Sequence, residues 1–253
     1  MHILLTNDDG IDAPGIRQLT LFLTAKGHRV TLAAPDRERS AVAHAISITP
    51  PLRAKEISRD GATGWAIDGT PTDCARLGMY LTRNDRPDIC VSGINRGPNL
   101  GGACIYSGTV NAAMEASMTG CPAIAASLNS FTQNDYSLAC EYTGRLIDYA
   151  VKHPLERGEI YNLNVPAGDY VRGLYFTSIM APEYLTDAAY QEFTSSYNNK
   201  YYFLIDGANG AVYPPECDYT LVKQGWAAVS ALTWDLSVKD KGRVRENGKI
   251  EES

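Results

Sequence analysis

Ile3-Leu4-Leu5-Thr6-Asn7-Asp8-Asp9-Gly10-Ile11-Asp12-Ala13-Pro14-Gly15-Ile16 is the stretch that decides the fold. The unbroken apolar run Ile3 to Leu5 predicts a strand buried on both faces. Pro14 suits the first turn of a helix. Ile16, Leu19, Phe22 and Leu23 then share one helical face, and Gly27 suits the position just past its end. Arg29 to Ala34 read as a second strand. Together these make a βαβ unit, whose crossover is right-handed. Asp8 and Asp9 fall where the first strand ends. Adjacent carboxylates repel and raise each other's pKa unless positive charge lies between them. A divalent cation supplies that charge, and Mg²⁺, Mn²⁺ or Ca²⁺ would take these oxygens. The plainer alternative is one carboxylate at a helix N-terminus with a solvated neighbour.

Strands and helices continue to alternate along the chain. Pro35 to Ser47 read as a polar, charged loop. Thr70-Pro71-Thr72-Asp73 opens a helix with a capping-box pattern, and Cys74, Leu77, Met79, Tyr80 and Leu81 give it an apolar face. Ile89 to Ser92 form a short buried strand, followed by a glycine-rich stretch from Gly93 to Gly102. Thr109 to Thr119 read as a helix, Pro122 to Ser127 as a strand and Tyr136 to Lys152 as a helix. Tyr161 to Val165 and Leu174 to Ile179 read as strands. This order predicts a parallel or mostly parallel sheet with helices on both faces.

After residue 180 the character changes. Tyr184, Tyr190, Tyr197, Tyr201 and Tyr202 punctuate a polar stretch with a turn at Asn198-Asn199. The expectation is a projecting hairpin that packs on another subunit, rather than one folded back on its own domain. Trp226 to Trp234 read as a further strand, and Val238 to Ser253 as a charged tail. No linker divides the chain, so residues 1–253 are read as one domain, with a core over 1–180 and a hairpin and extension over 181–253.

The bulk numbers remove whole classes. A formal charge of -6 lacks the basic footprint of a nucleic-acid binder. Acidic substrates remain open, because a bound metal gives positive potential locally. The six cysteines include no C-x-x-C pair, so zinc-ribbon and thioredoxin-type readings lack support. No run of 18 apolar residues occurs. The expectation is a soluble cytoplasmic protein with no membrane contact and no nucleic-acid duplex as partner.

Three segments rich in oxygen ligands and glycine follow strands: Asn7 to Gly10, Asp36 to Ser40, and Ser92 to Gly101 continuing to Tyr106-Ser107-Gly108-Thr109. Ligands bind at the carboxyl ends of strands in open α/β sheets, so these segments should converge. Asn95 offers a carbonyl oxygen and Ser40 a hydroxyl, although each alone reads as turn chemistry. Ser107-Gly108-Thr109 opens a helix whose free N–H groups suit an anion, or serves only as an N-cap. His44 follows the charged loop, and a lone histidine is more often structural. The cysteines read as core packing.

In order, these motifs resemble the SurE family of stationary-phase survival proteins. The matching stretches are Leu4 to Ile16, Ala34 to Ser40, Gly69 to Cys74, Ser92 to Asn95 with Asn99 to Gly101, Tyr106 to Val110, and Val222 to Trp226. The resemblance implies a Rossmann-like three-layer α/β/α sandwich with C-terminal arms that exchange between subunits, giving a homodimer or homotetramer. It implies a metal-dependent nucleotidase hydrolysing nucleoside 5′- and 3′-monophosphates by metal-assisted attack of water. One divalent ion, Mg²⁺ or Mn²⁺ (Ca²⁺ in crystals), would be held by Asp8, Asp9, Ser40 and Asn95. Asp8 and Asp9 would be catalytic, with phosphate held by Asn95, Asn99, Ser107, Gly108 and Thr109. Departures occur at Asn111, where relatives usually carry glycine, at Arg96 and Pro98, and in residues 190 to 202. A Rossmann oxidoreductase is disfavoured, because carboxylates stand where a pyrophosphate would be repelled. A non-catalytic nucleotide- or metal-binding regulator is the remaining alternative.

Overall fold

A computed structural model describes residues 1–179, 189–205, 213–235 and 237. The chain runs β1 (His2–Thr6), α1 (Pro14–Ala25), β2 (Arg29–Pro35), β3 (Ala54–Arg59), β4 (Ala62–Ile67), α2 (Pro71–Leu81), β5 (Ile89–Arg96), a 3-10 turn (Gly101–Ile105) and α3 (Gly108–Met118). It continues through β6 (Ala123–Asn129), α4 (Ser137–Lys152), β7 (Glu159–Pro166), β8 (Leu174–Phe176), β9 (Ala189–Thr194), β10 (Lys200–Ile205), α5 (Asp218–Lys223) and β11 (Ala227–Thr233). One sheet has the order β3-β4-β2-β1-β5-β6-β7-β11-β8. The six strands from β4 to β7 are parallel to their neighbours, while β3 and β11 pair antiparallel to β4 and β7.

Alternate residues of β1 explain the layers. Ile3 and Leu5 point into a cluster with Ile16, Leu19 and Leu23 of α1 and Leu146 and Ile147 of α4. Leu4 points the other way, to Cys74 and Met79 of α2 and Val110, Ala113 and Met114 of α3. Both faces are therefore buried, which is why the strand reads as a continuous apolar run rather than an alternation. β1 lies between β2 on one side and β5 on the other. The strand order reverses there, and this is where open α/β sheets bind ligands.

The expected elements from β1 to β7 are present within a residue or a few. The capping box at Thr70 and Asp73 forms, with both reciprocal hydrogen bonds. Other expectations need correction. The β3–β4 hairpin was not anticipated, nor was α5. The strand expected over 174–179 stops at Phe176; beyond it, Ser178 only makes a bridge to Cys217. The core does not end at residue 180, because β11 enters the main sheet between β7 and β8, with Ala227 and Val229 fully buried. β9 and β10 do form a hairpin, turning at Asn198, and it makes a sheet of its own. Tyr184 and the tail from Val238 lie outside the described residues.

Candidate active site

Asp8 and Asp9 leave β1 into a tight turn. Gly10 takes φ +96°, and a Cβ there would meet the Arg37 carbonyl carbon at 2.9 Å, so the turn closes against the β2–β3 loop only with glycine. Asn7 Nδ2 donates to the Gly10 carbonyl at 2.8 Å, while its Oδ1 is buried without a hydrogen-bond partner.

Three more segments close on this turn. From the β2–β3 loop, the Arg39 N–H donates to the Asp8 carbonyl at 2.8 Å. From β5, the Arg96 N–H donates to Asp9 Oδ2 at 2.9 Å. From α3, the Thr109 N–H donates to Asp8 Oδ2 at 3.1 Å, and the Thr109 hydroxyl donates to Asp8 Oδ1. Gly108 fits only without a side chain, since a Cβ would lie 2.8 Å from that of Asp8. The pairing of β5 with β6 shifts register between Ser92 and Asn95. Asn95 Nδ2 donates to the Gly97 carbonyl at 2.8 Å, which leaves Oδ1 without a donor.

The electrostatics fit a cation. Asp8 is 5% exposed, and burial pushes its carboxyl above the usual value, against hydrogen bonds from Thr109. Burial first, and then the charge of Asp8, pushes Asp9 to about 6. No Lys or Arg side chain among the described residues pairs with either carboxylate. The Arg96 charge offsets the rise at Asp9 only in part, and two desolvated carboxylates whose hydrogen bonds come from backbone N–H groups and a hydroxyl suit a divalent ion. Among the described residues no cluster of three His, Cys, Asp or Glu side chains stands ready for a metal. A cation here therefore relies on two carboxylates completed by neutral oxygens such as those of Asn95 and Ser40, a set suited to hard ions.

The expected site residues are placed unequally. Asp8, Gly108 and Thr109 meet directly, Asp9 accepts from the Arg96 N–H, and Asn95 precedes Arg96 in the chain. Ser40 is next to Arg39 in the closing loop, exposed, with its hydroxyl donating to Glu38 Oε1 at 2.8 Å. Ser107 is the N-cap of α3, its Oγ accepting from the Val110 N–H at 3.1 Å. Asn99 turns inward: its N–H donates to Asn164 Oδ1 at 2.7 Å and its Nδ2 to Ser127 Oγ at 2.8 Å. These two bonds engage the backbone N–H and one of the two Nδ2 protons of Asn99. Asn111, the departure near the helix start, clamps that end through Nδ2, which donates to the Ser107 carbonyl at 2.8 Å and the Ile105 carbonyl at 3.2 Å. Glu38 belongs to the oxygen-rich segment Asp36 to Ser40, which gives it no role of its own. It lines a cavity of about 180 Å³ with Asp9, Pro14, Arg96, Asn134 and Tyr136. A larger groove of about 660 Å³ lies on the outer face of α1 and α4, where Lys26 and His28 mix with Glu141 and Asp148. It gathers both signs of charge and no paired carboxylates.

Residues 3–185 match the family model described as survival protein SurE. The chain belongs to the SurE family. It is 39% identical over 240 residues to the 5′-nucleotidase SurE of Desulforamulus reducens, covering 94% of each chain. It is 38% identical to the 5′-nucleotidase SurE of Thermosynechococcus vestitus, covering 94% of this chain and 92% of that one. The crystal structure of the SurE protein from Aquifex aeolicus superposes with a TM-score of 0.82 at 31% identity, covering 94% of this chain and 95% of that one. The likeness to these SurE proteins thus spans the fold and nearly the whole chain.

Proposed function

We infer that the chain is a metal-dependent nucleotidase that hydrolyses nucleoside monophosphates to nucleoside and phosphate. The observation that carries this reading is the carboxylate pair at the end of β1: Asp8 is buried against the first turn of α3, Asp9 stands partly buried beside it, and among the described residues no Lys or Arg side chain forms an ion pair with either. Asp8, Asp9, Ser40 and Asn95 would hold the ion, with Mg²⁺ and Mn²⁺ both suited. When bound, the ion supplies positive charge for a phosphate oxygen and lowers the pKa of water.

This chain's residues divide the remaining work. The start of α3 offers the phosphate the Gly108 N–H, the Ser107 hydroxyl and the positive end of the helix dipole. Thr109 holds both oxygens of Asp8 in place, and the remaining lone pairs would serve the ion. Asp9 uses only Oδ2, toward Arg96, and it borders the cavity. We assign Asp9 Oδ1 to orienting the attacking water and accepting its proton. Asn99 is held through Asn164 and Ser127, and its second Nδ2 N–H would be its donor to a phosphate oxygen. The 5′ position is the one in the relatives' names; action on 3′-monophosphates is part of the same proposal.

We also propose that the chain assembles as a dimer or tetramer through the β9–β10 hairpin. Tyr190, Phe193, Tyr201, Tyr202 and Phe203 are all exposed on it, an apolar surface of the kind that marks an interface. A cytoplasmic location is supported by six free, buried cysteines. Among the described residues no helix is long and apolar enough to cross a membrane.

The test is phosphate release from nucleoside 5′- and 3′-monophosphates with Mg²⁺, Mn²⁺ or EDTA. Release that requires the ion and disappears in Asp8→Asn and Asp9→Asn supports the reading. Metal-dependent nucleotide binding without release would mark a regulator instead.

A further inference from the structure

The loop that carries Ser40 has a shape its own sequence does not favour. Ala41 and Ala43 take φ of 55° and 51°, the left-handed region that side chains with a Cβ avoid. Surroundings must impose such a shape. Backbone and cap contacts do part of this. The Ala43 N–H donates to the Tyr106 carbonyl at 3.1 Å, Thr70 Oγ1 donates to the Ala45 carbonyl at 2.7 Å, and Ser47 donates to Asp73 through N–H and hydroxyl.

The remaining contact is a side-chain pair. His44 Nε2 lies 3.0 Å from Glu115 Oε2. Glu115 is a carboxylate on α3, only 6% exposed, with Arg76 Nη1 of α2 at 3.4 Å from its other oxygen. A buried carboxylate is costly unless paired, and packing α2 against α3 does not require one. The same helix carries Thr109, which holds both oxygens of Asp8. Six residues of helix span about 9 Å, so one rigid element reaches both the Asp8 carboxylate and the Ser40 loop.

We propose that Glu115 and His44 are a positioning pair that registers the Ser40 loop against the Asp8-Asp9 turn through α3. They touch neither substrate nor ion. Their effect is to fix the separation of the oxygens that receive the cation. The inference rests on the assignment of Asp8, Asp9, Ser40 and Asn95 to the ion.

The test measures Mn²⁺ binding to the full chain, with Mn²⁺ alone as probe and free Mn²⁺ read by electron paramagnetic resonance. Melting temperature, kcat and KM are measured beside it. His44→Ala and Glu115→Gln should each raise the Mn²⁺ dissociation constant about 10-fold, and the double variant should lose no more than the worse single one. His44→Gln, whose amide N–H can still reach Glu115, should recover most of the affinity. Mn²⁺ affinity within about 2-fold of the parent in both single variants, with only the melting temperature lowered, would overturn the pair as a positioning device. If His44→Ala fails to fold, Glu115→Gln and His44→Gln decide the matter by the same numbers. Ser40→Ala and Asp9→Asn separate the two levels. Unchanged Mn²⁺ affinity in those variants would overturn the ligand set itself, whereas their loss of affinity beside an unaffected pair would overturn the positioning role alone.

Discussion

The proposed chemistry rests most heavily on Asp9. It is desolvated, lies beside the charge of Asp8, and receives one backbone N–H from Arg96. Without a cation that arrangement costs stability. Asp9→Asn removes the like charge yet can keep an acceptor for Arg96. The metal-free variant should therefore melt higher than the parent, by on the order of 3 °C, while losing the rise that Mn²⁺ gives the parent. Calorimetric scans with EDTA and with Mn²⁺ measure both; a lower metal-free melting temperature would contradict the assignment. The sequence displayed this pair openly, because Asp-Asp-Gly after an apolar strand is a local pattern. It did not display the engagement of Asn99 with Ser127 and Asn164, nor His44 with Glu115, 71 residues apart. Such partners meet only through tertiary packing.

At the scale of elements, helix starts set the site. α1 begins so close to β5 that a Cβ at Gly15 would lie 2.0 Å from the Ile94 carbonyl oxygen. Gly15→Ala should push α1 away and cost about 3 kcal/mol, measured by urea unfolding. It should also lower activity, since β5 carries Asn95. α2 begins with the Thr70–Asp73 capping box, and Asp73 also accepts from Ser47 at 2.9 and 2.6 Å. Burial raises the Asp73 pKa, but the bonds from Ser47 and Thr70 outweigh it and hold the carboxyl below its ordinary value. A depressed carboxyl stabilises the fold above its unfolded pKa of about 3.9. That stability is lost as pH falls through the folded value. Asp73→Asn should thus cost about 1 kcal/mol at pH 7, and the difference should shrink below about pH 4. A constant difference across that window in urea titrations would count against it. The β3–β4 hairpin, absent from the sequence reading, did carry a signal. Asp60-Gly61 is a two-residue turn with φ of 52° and 80°, the type I′ preference. It was obscured because β3 is an exposed edge strand with charged residues, lacking an apolar rhythm. α5 is one short turn and half of another, too brief for periodicity to register.

For the whole molecule, parallel strands bring distant segments to one edge of the sheet, and the reversal of order beside β1 gathers them at Asp8 and Asp9. The sequence made this legible through the alternation of apolar runs and capped helices, which is a long-range pattern built from local ones. Where the C-terminal part returns was not legible. β11 crosses back into the sheet because Ala227, Ala228 and Val229 complete a core between β7 and β8, and nothing near those residues announces that partner. The hairpin of β9 and β10 poses the opposite case, with aromatic side chains left exposed. Removal of residues 189–205 should convert an oligomer to a monomer in light scattering; an unchanged mass would exclude that surface as the interface.

An ion at Asp8 and Asp9 is what would make this fold a nucleotidase. The most direct measurement is phosphate release from a nucleoside 5′-monophosphate by the full chain, stripped with EDTA and then titrated with Mn²⁺, beside Asp9→Asn. The account predicts background release in EDTA, restoration by at least about 100-fold on adding Mn²⁺, and no restoration in the variant. Full-rate release in EDTA, or a variant restored like the parent, would contradict it.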